Sequence, residues 1–457
     1  MADGLERSGA TARLAAFAVS TAGDEIPATV LATMRVCLLD WFGNTVFAAQ
    51  HADSAPSVRQ GIAAFAGTEP GAHTVAGEPG RRSLSAALLL NGTFGHSLDF
   101  DDTNLFGKIH PGVTVIPAAL AEAERTHTNG GDLLAAIALG YEVACRVGAA
   151  LGEATYTRGF HPTPLGGIFG AVAAMGRLRG FDAAQMQAAF GLAGSRAAGS
   201  MQYLENGAWN KRLHTGFAAH DAALCVALAE AGVSGAAAAL EGRAGVLTSY
   251  SPAPRPDLLT DGLGTFWAAA ETAIKPYPNC RLNHSAIEAA LLLRETLAAP
   301  QEESYALRLG ATAYRMVGEP LPLKRAAQNI VDGQFSVYFQ IAASLIDGRN
   351  DWNSYRLLGD AEVNRIAARI EVTEDVGLAL GEAVLTPKSA PELAVHIREP
   401  LGEPTRPLSW DSVCAKFTSL AAGPLGAGRA AQLAAGVATV DALTDTAPLI
   451  ALAGAPA

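Results

Sequence analysis

Apolar residues recur at helical spacing from the start of the chain to about Gly262, in segment after segment that opens on a capping side chain and closes on glycine. Such a chain can bury its apolar faces only by packing helix on helix. Asp132 and Asp182 look like helix openings, because a short side-chain acceptor satisfies the free N–H groups of a first turn. Alanine dominates and aromatic residues are few, which favours helix and argues against an all-β architecture. After about Thr265 the texture changes. Residues 305–316, 366–373, 382–385 and 393–398 alternate or bunch apolar side chains as strands do, with helices expected at 284–297 and 328–346. Past Pro400 the helical pattern returns, with Trp410 ahead of a helix over 411–420. The expected architecture is mostly α: a large helical domain built from residues 1–264 and 400–457, with a smaller α+β lid inserted over 265–399.

A formal charge of −11, with no basic run, excludes nucleic acid as a natural partner, since phosphate binding needs clustered lysine and arginine. Cys37, Cys145, Cys225, Cys280 and Cys414 are far apart and odd in number, so neither a disulfide framework nor a zinc site is expected. A cytoplasmic location fits. Residues 1–20 lack the basic-then-apolar layout of a secretory leader, and apolar runs such as 113–121 and 289–293 are shorter than a membrane span needs, so no membrane association is expected. Gly262-Leu263-Gly264 and Gly107-Lys108 are fragments of nucleotide motifs without the rest, and no cofactor is inferred from them.

Four turns between helices carry the polar chemistry. The first runs from His96 through Asp99, Asp101, Asp102 and Thr103 to Lys108, His110, Pro111 and Gly112. If this stretch ends a helix, His96, Asp99 and Thr103 share a face while Asp101 points away. Three aspartates at a helix C-terminus need compensation, for which Lys108 and His110 are candidates. The second places His161, Pro162, Thr163 and Pro164 before a helix over 168–178, whose unpaired N–H groups suit a carboxylate. The third crowds Lys211, Arg212 and His214 ahead of a helix over 217–230, a grouping that an anionic ligand would stabilise. In the fourth, Lys275 stands just before two prolines that stiffen the backbone, and Cys280, Arg281 and His284 follow them. Taken singly, each of these turns could equally be an ordinary solvated or structural feature. His51, His73, His127, His220 and His396 stand alone and receive no role.

Together, the strings HSLDFDDT with a downstream HPG, GFHPTPLGG, NGAWNKRLHTG and KPYPNCRLNH resemble the MmgE/PrpD family over about residues 28–417. That family includes 2-methylcitrate dehydratase, cis-aconitate decarboxylase and iminodisuccinate epimerase. The resemblance implies a helical domain rejoined by the C-terminus, an α+β lid, a homodimer, and a cleft that works without metal or organic cofactor. It places the family's site on Asp99, Thr103, His110, His161, Lys211 and His284, with Phe339 at a position often tyrosine and Tyr338 beside it.

Removing a proton beside a carboxylate requires a base near neutrality and positive charge where the carbanion grows, roles suited to histidine and to Lys211, Arg212, Arg281 and His284. His110 and His161 are expected to share proton transfer, Asp99 to orient a histidine or bind a hydroxyl, and Thr103, Lys108, His214, Lys275 and Tyr338 to help hold a small polycarboxylate. Dehydration of a 2-methylcitrate-like acid in propionate catabolism is the first expectation, with decarboxylation or epimerisation as the near alternative. A magnesium-dependent isoprenoid synthase built on Asp99–Asp102 fails because Thr103 and Leu105 occupy the positions where a second acid is needed. A non-catalytic carboxylate binder is the remaining reading, motivated by Phe339.

Overall fold

The computed structural model describes residues 9–456, so the part of the leader argument that concerns residues 1–8 lies outside that range. The first part of the chain forms α1 (Ala10–Ser20), α2 (Ala28–His51), α3 (Ala55–Ala66), α4 (Leu84–His96), α5 (Gly112–Thr126), α6 (Gly130–Leu151), α7 (Pro162–Leu178), α8 (Ala183–Ala193) and α9 (Asn210–Glu230). A short antiparallel pair, β1 (His73–Thr74) with β2 (Arg81–Arg82), lies between α3 and α4. α6 is apolar on nearly every face, and residues 133–151 are all buried, as such a helix requires. α7 packs closely along it because both carry glycine at the crossing. A Cβ on Gly140 would meet the Gly170 carbonyl at 2.8 Å. By length and composition α2 and α6 could each cross a membrane, which the sequence reading did not anticipate. In the fold, 67% of the α2 window and all of the α6 window are buried against other helices.

Asp182 caps α8 by accepting from the Gln185 N–H, as its position suggests. α6, however, opens three residues before Asp132, on Asn129, whose side chain accepts from the Asp132 N–H. α7 and α9 also begin earlier than apolar periodicity indicates, because their first turns are polar or proline-rich.

The second part contains a four-stranded sheet in the order β6 (Ile370–Glu374), β5 (Tyr305–Leu309), β7 (Ala383–Pro387), β8 (Val395–Ile397). β5 runs parallel to β6 and antiparallel to β7, and β7 is antiparallel to β8. α10 (His284–Thr296), α11 (Val337–Asp347) and α12 (Ala361–Ala367) share a separate core with it, including Tyr305, Leu307, Ile341, Ile366 and Leu385. Several expected strands are shorter than the apolar patches. Residues 310–318 turn into irregular helix after β5, and the patch at 366–373 is the end of α12 followed by β6. The single helix expected over 328–346 is broken at Phe335, where Ser336 caps a new helix by accepting from the Phe339 N–H.

The changeover between the two cores comes later than Thr265. Trp267, Ala268, Ala269 and Ile274 belong to the helical core, and β4 (Thr272–Ala273) pairs antiparallel with β3 (Thr103–Asn104). The chain then returns through α13 (Trp410–Leu425) and α14 (Ala427–Ala438). Val413, Phe417 and Ala421 of α13 join Met34, Leu38 and Phe42 of α2 in one apolar cluster.

Candidate active site

The site begins where α4 ends. Gly92 on α4 and Gly216 on α9 let the two helices touch: a Cβ on Gly92 would lie 2.7 Å from the Gly216 Cα. The C-terminal turn of α4, with His96, and the N-terminal turn of α9, with Lys211, thus face a common space. Beyond His96 the chain does not continue as helix. Asp99 adopts a left-handed conformation (φ 52°), an unusual choice for a residue with a Cβ that aspartate tolerates better than most. That reversal breaks the helical phase on which Asp101 was expected to point away, and Thr103 leaves the helix for β3.

Asp99 and Asp101 consequently have separate partners. Lys275 Nζ donates to the Asp99 carboxylate at 2.8 Å and to its carbonyl at 2.9 Å, while Lys211 Nζ reaches the same carboxylate at 2.9 Å. Burial alone would raise the Asp99 carboxyl, but the two ammonium charges outweigh it and hold it well below the usual range. Asp101 takes the imidazoles: His96 Nδ1 and His110 Nδ1 each lie 2.9 Å from its Oδ2. Burial pulls Asp101 upward and the paired rings pull it down further, so it too is ionised. An ionised carboxylate only accepts, so both Nδ1 atoms carry the hydrogen, and each Nε2 keeps its lone pair. His110 Nδ1 has a second acceptor in the Asp102 carbonyl at 2.9 Å, which fixes the same tautomer.

Desolvation lowers all five site imidazoles: His96 and His214 to about 4, with His110, His161 and His284 also below the free value. They are neutral near pH 7 and able to accept protons. His96 stacks on His161 with ring centroids 5.8 Å apart and meets His110 edge-on at 4.8 Å. The Nδ1 atoms of His161 and His214 are 3.2 Å apart.

Asp102 faces away from this group. Tyr141 donates to it at 2.5 Å and the first N–H of α5, from Gly112, at 3.2 Å. Burial nevertheless pushes its carboxyl from 3.8 up to about 7, reinforced by Asp101 and Asp40. Because the folded value lies above the unfolded one, the stability carried by the protonated acid is intact below pH 3.8 and is lost as pH climbs through about 7. Asp102→Asn is therefore expected to gain melting temperature relative to the parent protein as pH rises from 4 to 8. A difference that does not change with pH would contradict this.

Asp99, Thr103, Lys108, His110, His161, Lys211, Lys275 and Arg281 all line one cavity between the helical core and the sheet-bearing part, closed by apolar groups such as Ile109, Met201, Leu282 and Phe335. Asp99 Oδ2 and Thr103 Oγ1 are buried without a hydrogen-bond partner, so they can receive a ligand's polar groups. Lys108 does not neutralise the aspartates as expected; its ammonium rests on Glu153 at 3.2 Å, at the cavity edge.

Four expected substrate contacts lie elsewhere. Arg212 follows Lys211 by one residue, hence about 100° round the helix. It is buried against Asp53 and Ser54, its Nη1 lying 3.0 Å from Ser54 Oγ. His214 lies behind His161 and lines an outer groove instead. His284 is buried and does not line the cavity, with Nε2 3.4 Å from the Asn279 carbonyl and its ring edge-on to Tyr277. Tyr338 donates to the Gly318 carbonyl at 2.8 Å within the sheet-bearing core, and Phe339 stacks on Tyr355 there.

Sequence reasoning overlooked Asp101 as a functional group and missed Lys416 entirely. Lys416, on α13, pairs with Asp40 at 2.6 Å and donates to the carbonyls of Phe100 (2.8 Å) and Lys275 (3.0 Å). One ammonium from the returning C-terminal segment thereby pins both strands of chain that present Asp99 and Lys275. Nothing in its local sequence signals this. The set His96, Asp99, Asp101 and His110 brings its ligand atoms within 4.8 Å of one another, a spacing a divalent cation could use. Two lysine ammoniums already on Asp99 would oppose it.

Residues 12–259 match the model of the MmgE/PrpD N-terminal domain and residues 277–442 that of the C-terminal domain. Among curated proteins, the chain is 27% identical to a cis-aconitate decarboxylase from Aspergillus terreus, an alignment covering 100% of this chain and 98% of that protein. It is 28% identical to human cis-aconitate decarboxylase (65% of this chain, 62% of that protein) and 30% identical to the mouse protein (60% and 57%).

Proposed function

The chain belongs to the MmgE/PrpD family, and we propose that it is a lyase acting without a metal or organic cofactor on a small polycarboxylic acid through a carbanion beside a carboxylate. The observation that carries this reading is the meeting of His110 and His161 with Lys211 and Lys275 round Asp99 in one cavity. Asp99 shares two ammoniums, so Lys211 can turn to a substrate carboxylate while Lys275 stays on Asp99. His110, its Nδ1 hydrogen fixed by Asp101 and the Asp102 carbonyl, offers a bare Nε2 for proton transfer. An arriving polyanion raises the proton affinity of the neutral imidazoles, so substrate binding itself charges the groups that later donate. The α+β part acts as the lid over this cavity.

Decarboxylation of a cis-aconitate-like acid is the reading we favour over the dehydration expected from sequence. The matched relatives carry that activity in their names, and the apolar wall formed by Ile109, Met201, Leu282 and Phe335 suits a carboxylate that must shed its charge as carbon dioxide. Dehydration stays as the second reading because two proton-transferring imidazoles, His110 and His161, line the cavity, as elimination of a hydroxyl also requires. Purified protein is expected to release carbon dioxide from cis-aconitate without added metal and in the presence of a chelator. Alkene absorbance growing from 2-methylcitrate or citrate, with no carbon dioxide, would instead establish dehydration; inversion of iminodisuccinate would establish epimerisation. Binding of citrate or tricarballylate without turnover of any of these acids would leave only a carboxylate-binding relative. A cytoplasmic homodimer is proposed from the family alone, and sedimentation at a single-chain mass of 47.0 kDa would overturn it.

A further inference from the structure

Tyr203 stands buried at the cavity with a hydroxyl that bonds to nothing among the described residues. Tyr141, Tyr305, Tyr338 and Tyr355 are buried too, and each donates its hydrogen to a protein oxygen: the Asp102 carboxylate and the carbonyls of Pro300, Gly318 and Pro278. Tyr156, the other phenol on the cavity wall, donates to the Lys108 carbonyl at 3.2 Å. Tyr203 has no such acceptor, although it is only 3% exposed. It lines the cavity and neither of two outer grooves, so the little it exposes faces the cavity. Backbone pairing fixes it there. The Met201 N–H donates to the Gly159 carbonyl and the His161 N–H to the Gly199 carbonyl, each at 2.9 Å, which sets the single turn over Gln202–Glu205 beside His161. The rings of Tyr203 and His161 stand edge-on with centroids 6.5 Å apart. Burial, reinforced by Tyr156, Asp99 and Cys280, holds the phenol well above its ordinary value, so near neutral pH it is a donor and not a base.

We propose that Tyr203 is a substrate-binding residue whose hydroxyl donates to a carboxylate of the acid in the cavity. This rests on the proposed function, and it holds for decarboxylation, dehydration and epimerisation alike. A buried donor without an acceptor is costly, and the protein supplies Tyr203 with none, so the bond is completed by what enters the cavity. An ionised carboxylate offers about four acceptor sites on its two oxygens, so one that Lys211 attracts still has room for a second donor. The two contributions differ in kind. Lys211 supplies charge, which favours any anion, whereas a hydroxyl held by backbone pairing supplies direction, which favours an acid with an acceptor at that point.

Tyr203→Phe tests this with two readouts, because it removes the hydroxyl and keeps the ring. By calorimetry the variant is expected to bind tricarballylate about tenfold more weakly than the parent, as loss of a hydrogen bond to a charged group implies. Its kcat/KM on whichever acid the parent turns over should fall at least as far. Its melting temperature without ligand should stay at or above the parent's, since the lost hydroxyl bonded to nothing in the protein. Tyr305→Phe supplies the contrast: it frees the Pro300 carbonyl in the sheet-bearing core, and should melt below the parent while binding tricarballylate normally. Unchanged affinity in Tyr203→Phe overturns the assignment. So does a lower melting temperature in that variant, which would show that the hydroxyl is bonded within the fold. A parent protein that binds tricarballylate but turns over no acid would sink the lyase reading, and the affinity difference would still decide the contact. A parent that binds no carboxylate sinks both.

Discussion

Asp101→Asn is expected to lower turnover by about 10²–10⁴-fold while changing KM far less, although the residue makes no contact with the cavity. Its carboxylate is the common acceptor for the Nδ1 hydrogens of His96 and His110. Both Nδ1 atoms lie 2.9 Å from the same oxygen, so an asparagine oxygen in its place can still accept from both rings, but it carries no charge. His110 retains the Asp102 carbonyl as an acceptor, and its orientation should survive. What disappears is the negative charge that favours its protonated form, and a proton taken during reaction is then less well held. The direction of the pH effect follows: burial already lowers His110, Asp101 opposes that lowering, and removing Asp101 shifts the acid limb of the rate profile to lower pH. Steady-state rates across pH 5–9 would check this. A kcat within threefold of the parent would show that neither histidine on Asp101 moves the proton.

The same residue shows how far the sequence could be read. His110, His161, Lys211 and Asp99 lie in turns whose proline, glycine and clustered charges announce them, and all four stand round one cavity. Helical periodicity gives Asp101 a direction, but the helix ends at His96, five residues before it. The left-handed backbone at Asp99 rotates everything after it, and no pattern in the local string distinguishes that turn from one more helical step. Arg212 and His214 illustrate the opposite error. A cluster of positive residues was read as one patch, but successive positions on α9 point in different directions, so Lys211 faces the cavity, Arg212 faces Asp53 and His214 backs His161. The helix over 328–346 failed for a similar local reason, since Ser336 offers a better cap than a helix interior. Lys416 was invisible because its value lies in two backbone carbonyls supplied by chain more than a hundred residues away.

The two lysines on Asp99 separate stability from chemistry, and exchanging each for methionine should yield different losses. Lys275 is 1% exposed at its side chain and spends its ammonium on Asp99 twice, on the carboxylate and on the carbonyl. Methionine at 275 fills similar space but leaves a buried carboxylate with a single remaining cation. Breaking a buried ion pair in this way typically costs about 3–5 kcal/mol, and the expected loss lies near the lower end because Lys211 remains. The sign against pH is fixed by the shifts. Asp99 is depressed, so its contribution is present above 3.8 and fades as pH falls through its folded value; Lys275 is raised, so its contribution holds through 10.5 and fades only above. The deficit of Lys275→Met should therefore be greatest around neutrality and shrink on acidification. Lys211 is 12% exposed, lies against the Phe335 ring and faces the cavity, so it can turn to a substrate carboxylate while Lys275 keeps Asp99 neutralised. Lys211→Met also takes one cation from Asp99 and should lose some stability, less than Lys275→Met because Lys275 still holds both the Asp99 carboxylate and its carbonyl, while turnover falls by about 10²-fold or more, since a charge placed to face the substrate is gone. If the two variants lose stability and rate in parallel, the division of labour between the lysines is wrong, and Asp99 with both cations is a structural post rather than part of the chemistry.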